Sequence, residues 1–449
     1  MPDILRRHWL FILLLILISI FYFVGVAKVP FHPDESTFLY MSADFERTLS
    51  NPIDLAWDKS VEPTPVMRYR MIDAPLTRNL IGISRVLFSI SPLEKDWEWS
   101  SSWQDNVNSG AYPGSKELLF GRFTVAIFFP LSLVLLYLIG LKLNGRLLGI
   151  AAVVIFSTNP LILLHTRRAM SEGVLVFAVF LALYALLHAD RYPFLAGLAV
   201  SLAFNTKHSA GLLLPVGLLA AGWVTSSRTN NYRQIISNLL RFGFGFGLLI
   251  LLFNPFLWRD PLSAAQTALA LRQELIQRQL TDFERIAPAQ VLDNPGKRTA
   301  VAIAQVFVAR PVFSEVGNYT EYTASAETAY LDSFANQLGR APWLGGFLIG
   351  LALLGIFASI RSVFAKDSSQ RRSAVILILS FISISAGIML LVHLAWQRYY
   401  LPLIPFTAIF VGLGFAWGIK TSRAIFANGR VAEILSQILT QFAPDRRVS

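Results

Sequence analysis

Uncharged runs of apolar residues recur along the chain, and their length predicts membrane-spanning helices. The hydrocarbon core of a bilayer is about 30 Å thick, so a spanning helix needs roughly 20 apolar residues. The fifth and sixth runs are the weakest, because they are short and lie on either side of Lys207 and His208. Without those two runs the count falls from ten to eight. The ten predicted spans are Trp9–Ala27, Phe123–Leu141, Leu147–His165, Gly173–Ala189, Pro193–Thr206, Ala210–Thr225, Phe242–Phe256, Ala341–Ile360, Ala374–Leu394 and Tyr399–Ile419.

The charges between the spans predict an orientation. Lys and Arg collect in cytoplasmic loops, and every even-numbered loop here is basic, starting with the loop that contains Lys142 and Arg146. This pattern places the N-terminus inside and two long loops outside. The chain then divides into a first span (1–27), a first extracytoplasmic loop (28–122), a central transmembrane bundle (123–256), a second extracytoplasmic loop (257–340), C-terminal spans (341–419) and a cytoplasmic tail (420–449).

The long outside loops contain predicted helices of their own. The spacing of apolar residues over 77–90 predicts an amphipathic helix that lies on the membrane surface. Residues 263–285 form a polar helical stretch in the second loop. A tryptophan-rich tract, Trp97 to Trp103, is typical of an interfacial aromatic belt. The predicted fold class is therefore an all-α polytopic membrane protein with interfacial helices in its loops.

Composition agrees with this architecture and excludes several other classes. Hydrophobic residues make up 54% of the chain and charged residues only 15%, whereas soluble proteins have about 25% charged residues. The net charge of +11 follows from the basic cytoplasmic loops, and no nucleic-acid-binding motif accompanies it. The absence of cysteine from the sequence excludes disulfides, thiolate metal sites and a cysteine nucleophile.

The strongest candidate for chemistry is an acidic pair, Asp34–Glu35, directly after the first span. Carboxylates beside lipid are costly unless they are solvated, paired or bound to a metal. Adjacent side chains point in different directions, so one carboxylate can face a reacting hydroxyl while the other anchors local structure. A structural alternative is that Asp34 caps a helix over residues 35–45. His32 can pack or hydrogen-bond near Asp34.

Three further charged sets fall in the short outside loops. Arg167, Arg168 and Glu172 occupy one turn, where the arginines either bind phosphate or form ion pairs and lipid anchors. Lys207 interrupts apolar sequence, and it is either a phosphate ligand or a side chain that snorkels to the interface. Arg398, beside two tyrosines, either binds a phosphate or a sugar or anchors the chain at the interface.

All four sets lie on the predicted outer face, and this convergence suggests one site. Acids and several cations at lipid depth suit a lipid-linked phosphate donor and a hydroxyl acceptor. Cations stabilise a departing phosphate, and a carboxylate can take the proton of the acceptor. The sequence contains no Walker loop, no GxSxG motif and no zinc-binding histidine spacing.

Motifs beyond the acidic pair resemble one superfamily of membrane enzymes. His32-Pro-Asp-Glu35 after the first span resembles the acidic motif of the GT-C superfamily, membrane glycosyltransferases that use polyprenyl-phosphate sugars. More narrowly, the chain is similar to the protein O-mannosyltransferase and aminoarabinose (lipid A) transferase-like group over residues 1–260, and moderately so over 395–420. The other motifs in matching order are Gly121-Arg122, Arg168–Glu172, Gly197–Lys207, Asn254–Pro261 and Arg398–Pro402.

The resemblance implies an inverting sugar transfer on the extracytoplasmic face. Asp34 would be the base or the acid that orients the acceptor. Glu35 would support it, and Glu172 stands in the place of a second-loop acid. In some superfamily members these first- and second-loop acids share a divalent metal, whereas others need none, so a metal held by Asp34 and Glu172 stays open. The resemblance implies Lys207 and Arg398 as ligands of the lipid phosphate and Asp73 as a weaker site candidate. The residues themselves add Arg167 and Arg168 as candidate phosphate ligands, and His32 and Tyr399 as weaker candidates.

The resemblance also implies partners and a location. The donor would be a polyprenyl-phosphate-linked sugar, and the acceptor a protein, a glycolipid or a polysaccharide. We expect a bacterial inner (plasma) membrane protein whose active site faces the periplasm or the exterior, with no nucleic-acid partner. Two alternatives remain: a transporter or flippase for a lipid-linked substrate, which favours charges at mid-membrane and internal repeats, and a non-catalytic relative of the family.

Overall fold

The computed structural model describes residues 2–223, 231–315, 319–333, 336 and 341–427, so the predicted tail lies outside the described residues from 428 onward. Within these ranges the only β pairing is an isolated antiparallel bridge between Val291 and Leu394. The α-helices are α1 (Pro2–Val24), α2 (Pro33–Met41), α3 (Asp44–Ser50), α4 (Pro65–Ile72), α5 (Leu76–Leu87), α6 (Trp103–Asn108), α7 (Ser115–Ala126), α8 (Phe128–Asn144), α9 (Arg146–Ser157), α10 (Pro160–His165), α11 (Ser171–Leu186), α12 (Pro193–Thr206), α13 (Leu214–Gly222), α14 (Asn231–Phe253), α15 (Pro261–Ile286), α16 (Pro295–Phe307), α17 (Thr320–Leu331), α18 (Pro342–Val363), α19 (Ser368–Leu391) and α20 (Ile404–Ala427). Short 3₁₀-helices include Val26–Lys28, Pro52–Leu55, His208–Leu213, Pro255–Leu257, Pro288–Gln290 and Gln397–Leu403.

The apolar helices confirm the predicted all-α membrane architecture but not the count of ten spans. In the described part of the chain, six helical segments are long and apolar enough to cross a bilayer: Arg7–Lys28, Ser115–Asn144, Tyr232–Phe253, Pro342–Val363, Ser368–Leu391 and Gln397–Ser422. Four more are apolar but have only 10–17 residues: Arg146–Ser157, Ser171–Leu186, Pro193–Thr206 and His208–Gly222. Each predicted span overlaps one of these segments, yet the last four are shorter than a straight bilayer crossing requires.

α11 lies at the centre of the bundle and packs against α8 and α12. Most of its residues between Ser171 and Leu186 are buried. A helix that is apolar on every side suits this position, because protein surrounds it on every side. α1 instead exposes Trp9, Ile16 and Val24, as expected for a helix at the edge of the bundle that faces lipid.

The first long loop folds into short helices, of which α5 packs against α7 and α12. The predicted surface helix is present as α5, which exposes Ile83 and Leu87. The tryptophan tract differs from the prediction. Trp97 is buried and, with Trp103, packs around Phe31. These rings therefore join parts of the first loop to one another instead of forming a membrane belt.

Candidate functional site

The acidic pair lies at the start of α2, and the cap of this helix is His32. Nδ1 of His32 accepts the backbone N–H of Asp34 at 3.1 Å, and the carboxylate of Glu35 accepts the N–H of His32 at 3.1 Å. This reciprocal arrangement satisfies two backbone donors that a helix start otherwise leaves unpaired. The alternative that Asp34 caps the helix is therefore wrong, and its carboxylate is available for other contacts.

Glu35 is fully buried, and its carboxylate joins three parts of the fold. Arg122 of α7 donates two hydrogen bonds to it, both 2.8 Å long, and the N–H of Ala169 donates a third at 2.8 Å. Burial opposes ionisation, but the charge of Arg122 outweighs it and holds the pKa of Glu35 below its ordinary value. These contacts are those of a residue that fixes the position of α2.

Asp34 points away from Glu35, and its side chain is partly exposed, at 24%. Its carboxylate forms an ion pair with Arg398 and lies 4.0 Å from Nδ1 of His32. Arg398 belongs to the 3₁₀-helix that precedes α20, and its guanidinium also lies over the rings of Trp396 and Tyr399. The first-loop acid thus meets a cation that the sequence places 364 residues away.

Glu315, from the second long loop, completes this group. Its carboxylate contacts Nε2 of His32 at 2.9 Å and Nε of Arg398 at 3.5 Å. Because Nδ1 of His32 accepts the N–H of Asp34, a neutral His32 carries its proton on Nε2 and donates it to Glu315. Sequence reasoning missed Glu315, since no motif and no span end marks it.

The ionisation of Glu315 follows from these contacts. Burial opposes the charged form, but the guanidinium of Arg398 and the hydrogen bond from His32 outweigh it. Together they hold the pKa of Glu315 below its ordinary value of 4.5. A depressed pKa means that the ionised carboxylate stabilises the fold at neutral pH, and that this contribution is lost as the pH falls below the ordinary value.

Replacing Glu315 by Gln is therefore expected to lower the free energy of unfolding by about 2 kcal/mol at pH 7, because two charge-assisted contacts are weakened. The difference from the wild type should shrink as the pH falls below 4.5. Thermal unfolding in detergent as a function of pH measures both effects. Glu321→Gln, at an exposed position of α17, is the matched control. A difference that grows in acid would contradict the assignment.

Lys207 and Glu172 form a second ion pair beside the first. Nζ of Lys207 lies 2.9 Å from the buried carboxylate of Glu172, in the first turn of α11. The same Nζ lies 5.4 Å from the centre of the Tyr399 ring, which Arg398 also contacts. Tyr399 therefore links the two cations, and Lys207, Arg398, Asp34 and Glu172 gather at one end of the bundle.

Arg167 and Arg168 are buried in the protein interior. Arg167 donates to the carbonyl of Tyr22 at 3.0 Å and to the side chain of Asn336 at 3.1 Å. Arg168 donates to the carbonyls of Pro30 at 3.2 Å and Phe313 at 2.9 Å. Most of their donors are thus engaged within the fold, where they join the end of α1 to the second loop, and we infer a structural role.

Asp73 lies at the end of α4, within the electrostatic reach of Asp34. Burial raises its pKa above the ordinary value, and the charge of Asp34 adds to this, against the opposing charges of Arg272 and Arg78. Arg272 belongs to α15. The sequence did not identify it as a site candidate, because it is one of many polar residues in a long helix. The charge of Asp73 is thus opposed by cations from both long loops.

The carboxylates do not form a metal site in this arrangement. Asp34 and Glu172 are each paired with a cation, Arg398 and Lys207. Throughout the described ranges, no group of three or more His, Asp or Glu side chains is placed to hold a metal ion. The residues present therefore do not fit the shared metal that the resemblance left open.

Comparisons with known proteins support the resemblance. Residues 85–258 match the family model described as Dolichyl-phosphate-mannose-protein mannosyltransferase, a segment that includes Arg122, Glu172 and Lys207 but neither Asp34 nor Arg398. No curated protein sequence matches the chain.

Two solved structures are similar to the whole chain. An oligosaccharyltransferase of Archaeoglobus fulgidus, tethered with an acceptor peptide, matches with a TM-score of 0.51 and 13% identity, over 93% of this chain and 50% of that one. ArnT from Cupriavidus metallidurans, bound to undecaprenyl phosphate, matches with a TM-score of 0.45 and 13% identity, over 99% and 67%. This chain spans about half the length of the A. fulgidus protein, and the first match shows a shared fold. The predicted resemblance to GT-C proteins, including the mannosyltransferase group, is confirmed.

Proposed function

We propose that this GT-C-like membrane protein is a glycosyltransferase that moves a sugar from a polyprenyl-phosphate donor to a hydroxyl acceptor, with inversion. The observation that carries the proposal is the ion pair of Asp34 with Arg398 beside that of Lys207 with Glu172. These two ion pairs place a partly exposed carboxylate beside two cations at one end of the transmembrane bundle. The match of residues 85–258 to a family named for a lipid-phosphate mannose donor supports the donor class.

In the proposed reaction, Asp34 accepts the proton of the acceptor hydroxyl while that oxygen attacks the anomeric carbon. The bond between this carbon and the donor phosphate oxygen breaks, and the lipid phosphate leaves with the electron pair. Lys207 and Arg398 stabilise the negative charge of the leaving phosphate. Attack on the face opposite the phosphate inverts the configuration of the sugar.

The ion pair of Arg398 with Asp34 implies an order for donor binding and for activation of the acceptor. In the structure, Arg398 is shared between Asp34 and Glu315. A donor phosphate that attracts Arg398 would weaken its contact with Asp34 and free this carboxylate to receive a proton. Glu315 would keep Arg398 within reach through its own contact. Donor binding would thus precede activation of the acceptor.

We further propose that the site faces the exterior of a bacterial inner membrane. The basic even-numbered loops predict the orientation, and the resemblance implies the membrane. The acceptor is a protein, a glycolipid or a polysaccharide that presents its hydroxyl to Asp34. Asp34, partly exposed at 24%, is placed to meet such an acceptor, whereas Glu35 at 0% is not.

Replacing Lys207 by Gln tests the donor assignment. The KM for a polyprenyl-phosphate sugar should rise about tenfold or more, because a charge-assisted contact with the phosphate is lost. Lys207→Arg keeps the charge and should recover much of the loss. The assay follows transfer of radiolabelled mannose or pentose from polyprenyl phosphate by the purified protein in detergent. Lys59→Gln, at an exposed position, is the control.

Two outcomes would contradict the proposal. A donor KM unchanged in Lys207→Gln would remove this residue from the phosphate site. Movement of intact donor across a liposome membrane, with no sugar transferred to any acceptor, would instead favour the transporter alternative.

A further inference from the structure

A cleft that the proposed reaction does not use lies where the first loop meets the end of α14. It opens to solvent, and its enclosed part admits about one water molecule. Polar residues of three helices, α3, α4 and α5, form most of one wall, and an aromatic residue of α14 contributes to the other. Its lining includes Asp44, Thr48, Arg70, Arg78, Asn79 and Phe253.

The charges around this cleft are unequal. Arg70 holds both carboxylate oxygens of Asp44, at 2.9 and 2.7 Å. Arg78 lies farther from the same carboxylate, with Nε 3.7 Å away, and Arg47 approaches it at 3.9 Å. Two guanidinium groups, those of Arg70 and Arg78, line the cleft with one carboxylate, that of Asp44. Outside the lining, Arg47 offsets the charge of Asp73. The cleft therefore carries an excess of positive charge.

One buried donor in the cleft is left without a partner. Arg78 is only 6% exposed, and its Nε makes no hydrogen bond. The 3.7 Å distance to Asp44 is too long for one. A buried donor without a partner is costly, and an anionic oxygen in the cleft would satisfy it. Asn79 lines the same space with an amide that can donate to the same oxygen.

The position of the cleft indicates which anion it meets. α14 is one of the helices long enough to cross a membrane, and it ends at Phe253. α5 carries Arg78 and Asn79, and its C-terminal half continues into a row of exposed apolar residues. This row consists of Ile83, Val86, Leu87 and Phe88. The cleft thus lies at a membrane surface, where lipid phosphates are found.

We propose that this cleft binds the phosphate group of a membrane lipid, through Arg78 and Asn79. One phosphate oxygen enters the enclosed space, and the rest of the headgroup stays at the mouth. The exposed apolar row of the first loop contacts the acyl chains. Neither Lys207 nor Arg398 lines this cleft. Inorganic phosphate shares the chemistry of the headgroup, but only a lipid also uses the apolar row.

Asn79→Asp is the variant that tests this proposal. It is nearly isosteric and places a carboxylate beside the guanidinium of Arg78, whose Nε makes no hydrogen bond although another of its nitrogens donates to the carbonyl of Asp73. The protein should therefore fold while the cleft repels phosphate. Binding of short-chain phosphatidic acid to the purified protein in non-ionic detergent is measured by native mass spectrometry. The Kd should rise about tenfold or more. Asn108→Asp, at an exposed position of α6, adds the same charge elsewhere and should leave the Kd unchanged.

Three further measurements separate the outcomes. Diacylglycerol of the same chain length should not bind at this site. Because phosphatidic acid can also occupy the proposed donor site, Lys207→Gln should lose at most that second binding event and keep the one that Asn79→Asp weakens. Inorganic phosphate that binds as tightly as the lipid would overturn the lipid as the ligand. Unchanged lipid binding in Asn79→Asp, or loss of every binding event in Lys207→Gln, would overturn the site.

Discussion

Replacing Asp34 by Asn is expected to abolish sugar transfer and to leave the protein folded. The amide cannot accept the proton of the acceptor hydroxyl, and loss of a general base lowers rates by about 10²- to 10⁴-fold. The change in stability should be small, because Asp34 is partly exposed and its backbone N–H, which bonds to His32, is retained. Initial rates at saturating donor measure the first effect, and thermal unfolding in detergent measures the second.

Asp54→Asn is the matched control for this experiment. Asp54 is an exposed acid of the same loop, so its replacement removes one charge without touching the site. Its transfer rate should equal that of the wild type. A full rate in Asp34→Asn, under conditions where donor is saturating, would show that another group takes the proton.

Replacing Arg122 by Met is expected to destabilise the fold by about 3–5 kcal/mol, since the buried carboxylate of Glu35 loses the cation that donates to it and keeps only the charge of Arg168 nearby. Glu35 is 0% exposed and receives two of its hydrogen bonds from Arg122. Arg122 also donates to the carbonyl of Val29 at 2.8 Å. Thermal unfolding in detergent and the yield of membrane-inserted protein measure the loss.

A double variant shows whether the charge itself is the cause. With Glu35→Gln added to Arg122→Met, both buried charges are absent, and the stability should recover in part. Lys116→Met, at an exposed position of the same helix, is the control. If Arg122→Met were as stable as this control, the pair would not hold α2 in place, and the orientation of Asp34 would have another origin.

The sequence was sufficient for the all-α membrane architecture, though not for the number of spans, and it named several residues of the proposed site. A segment that crosses a bilayer must be a long uncharged run whose backbone groups hydrogen-bond within one helix. Each such run is continuous in the sequence, so it can be recognised there. Charged residues at the ends of such runs are therefore visible without a structure. Asp34, Lys207 and Arg398 were found in this way, and their common placement follows from the alternation of the spans.

The tertiary structure decided what each of these charges contacts. His32 and Glu315 are 283 residues apart, and nothing local to either position indicates that they meet. Asp34 and Glu35 are adjacent, so the sequence does not distinguish their roles. The fold buries Glu35 against Arg122 and directs Asp34 toward Arg398. The cleft at Arg78 likewise needs α3, α4 and α5 to pack together. The role of a charged group depends on its burial and on its partners, and both are set by contacts between distant parts of the chain.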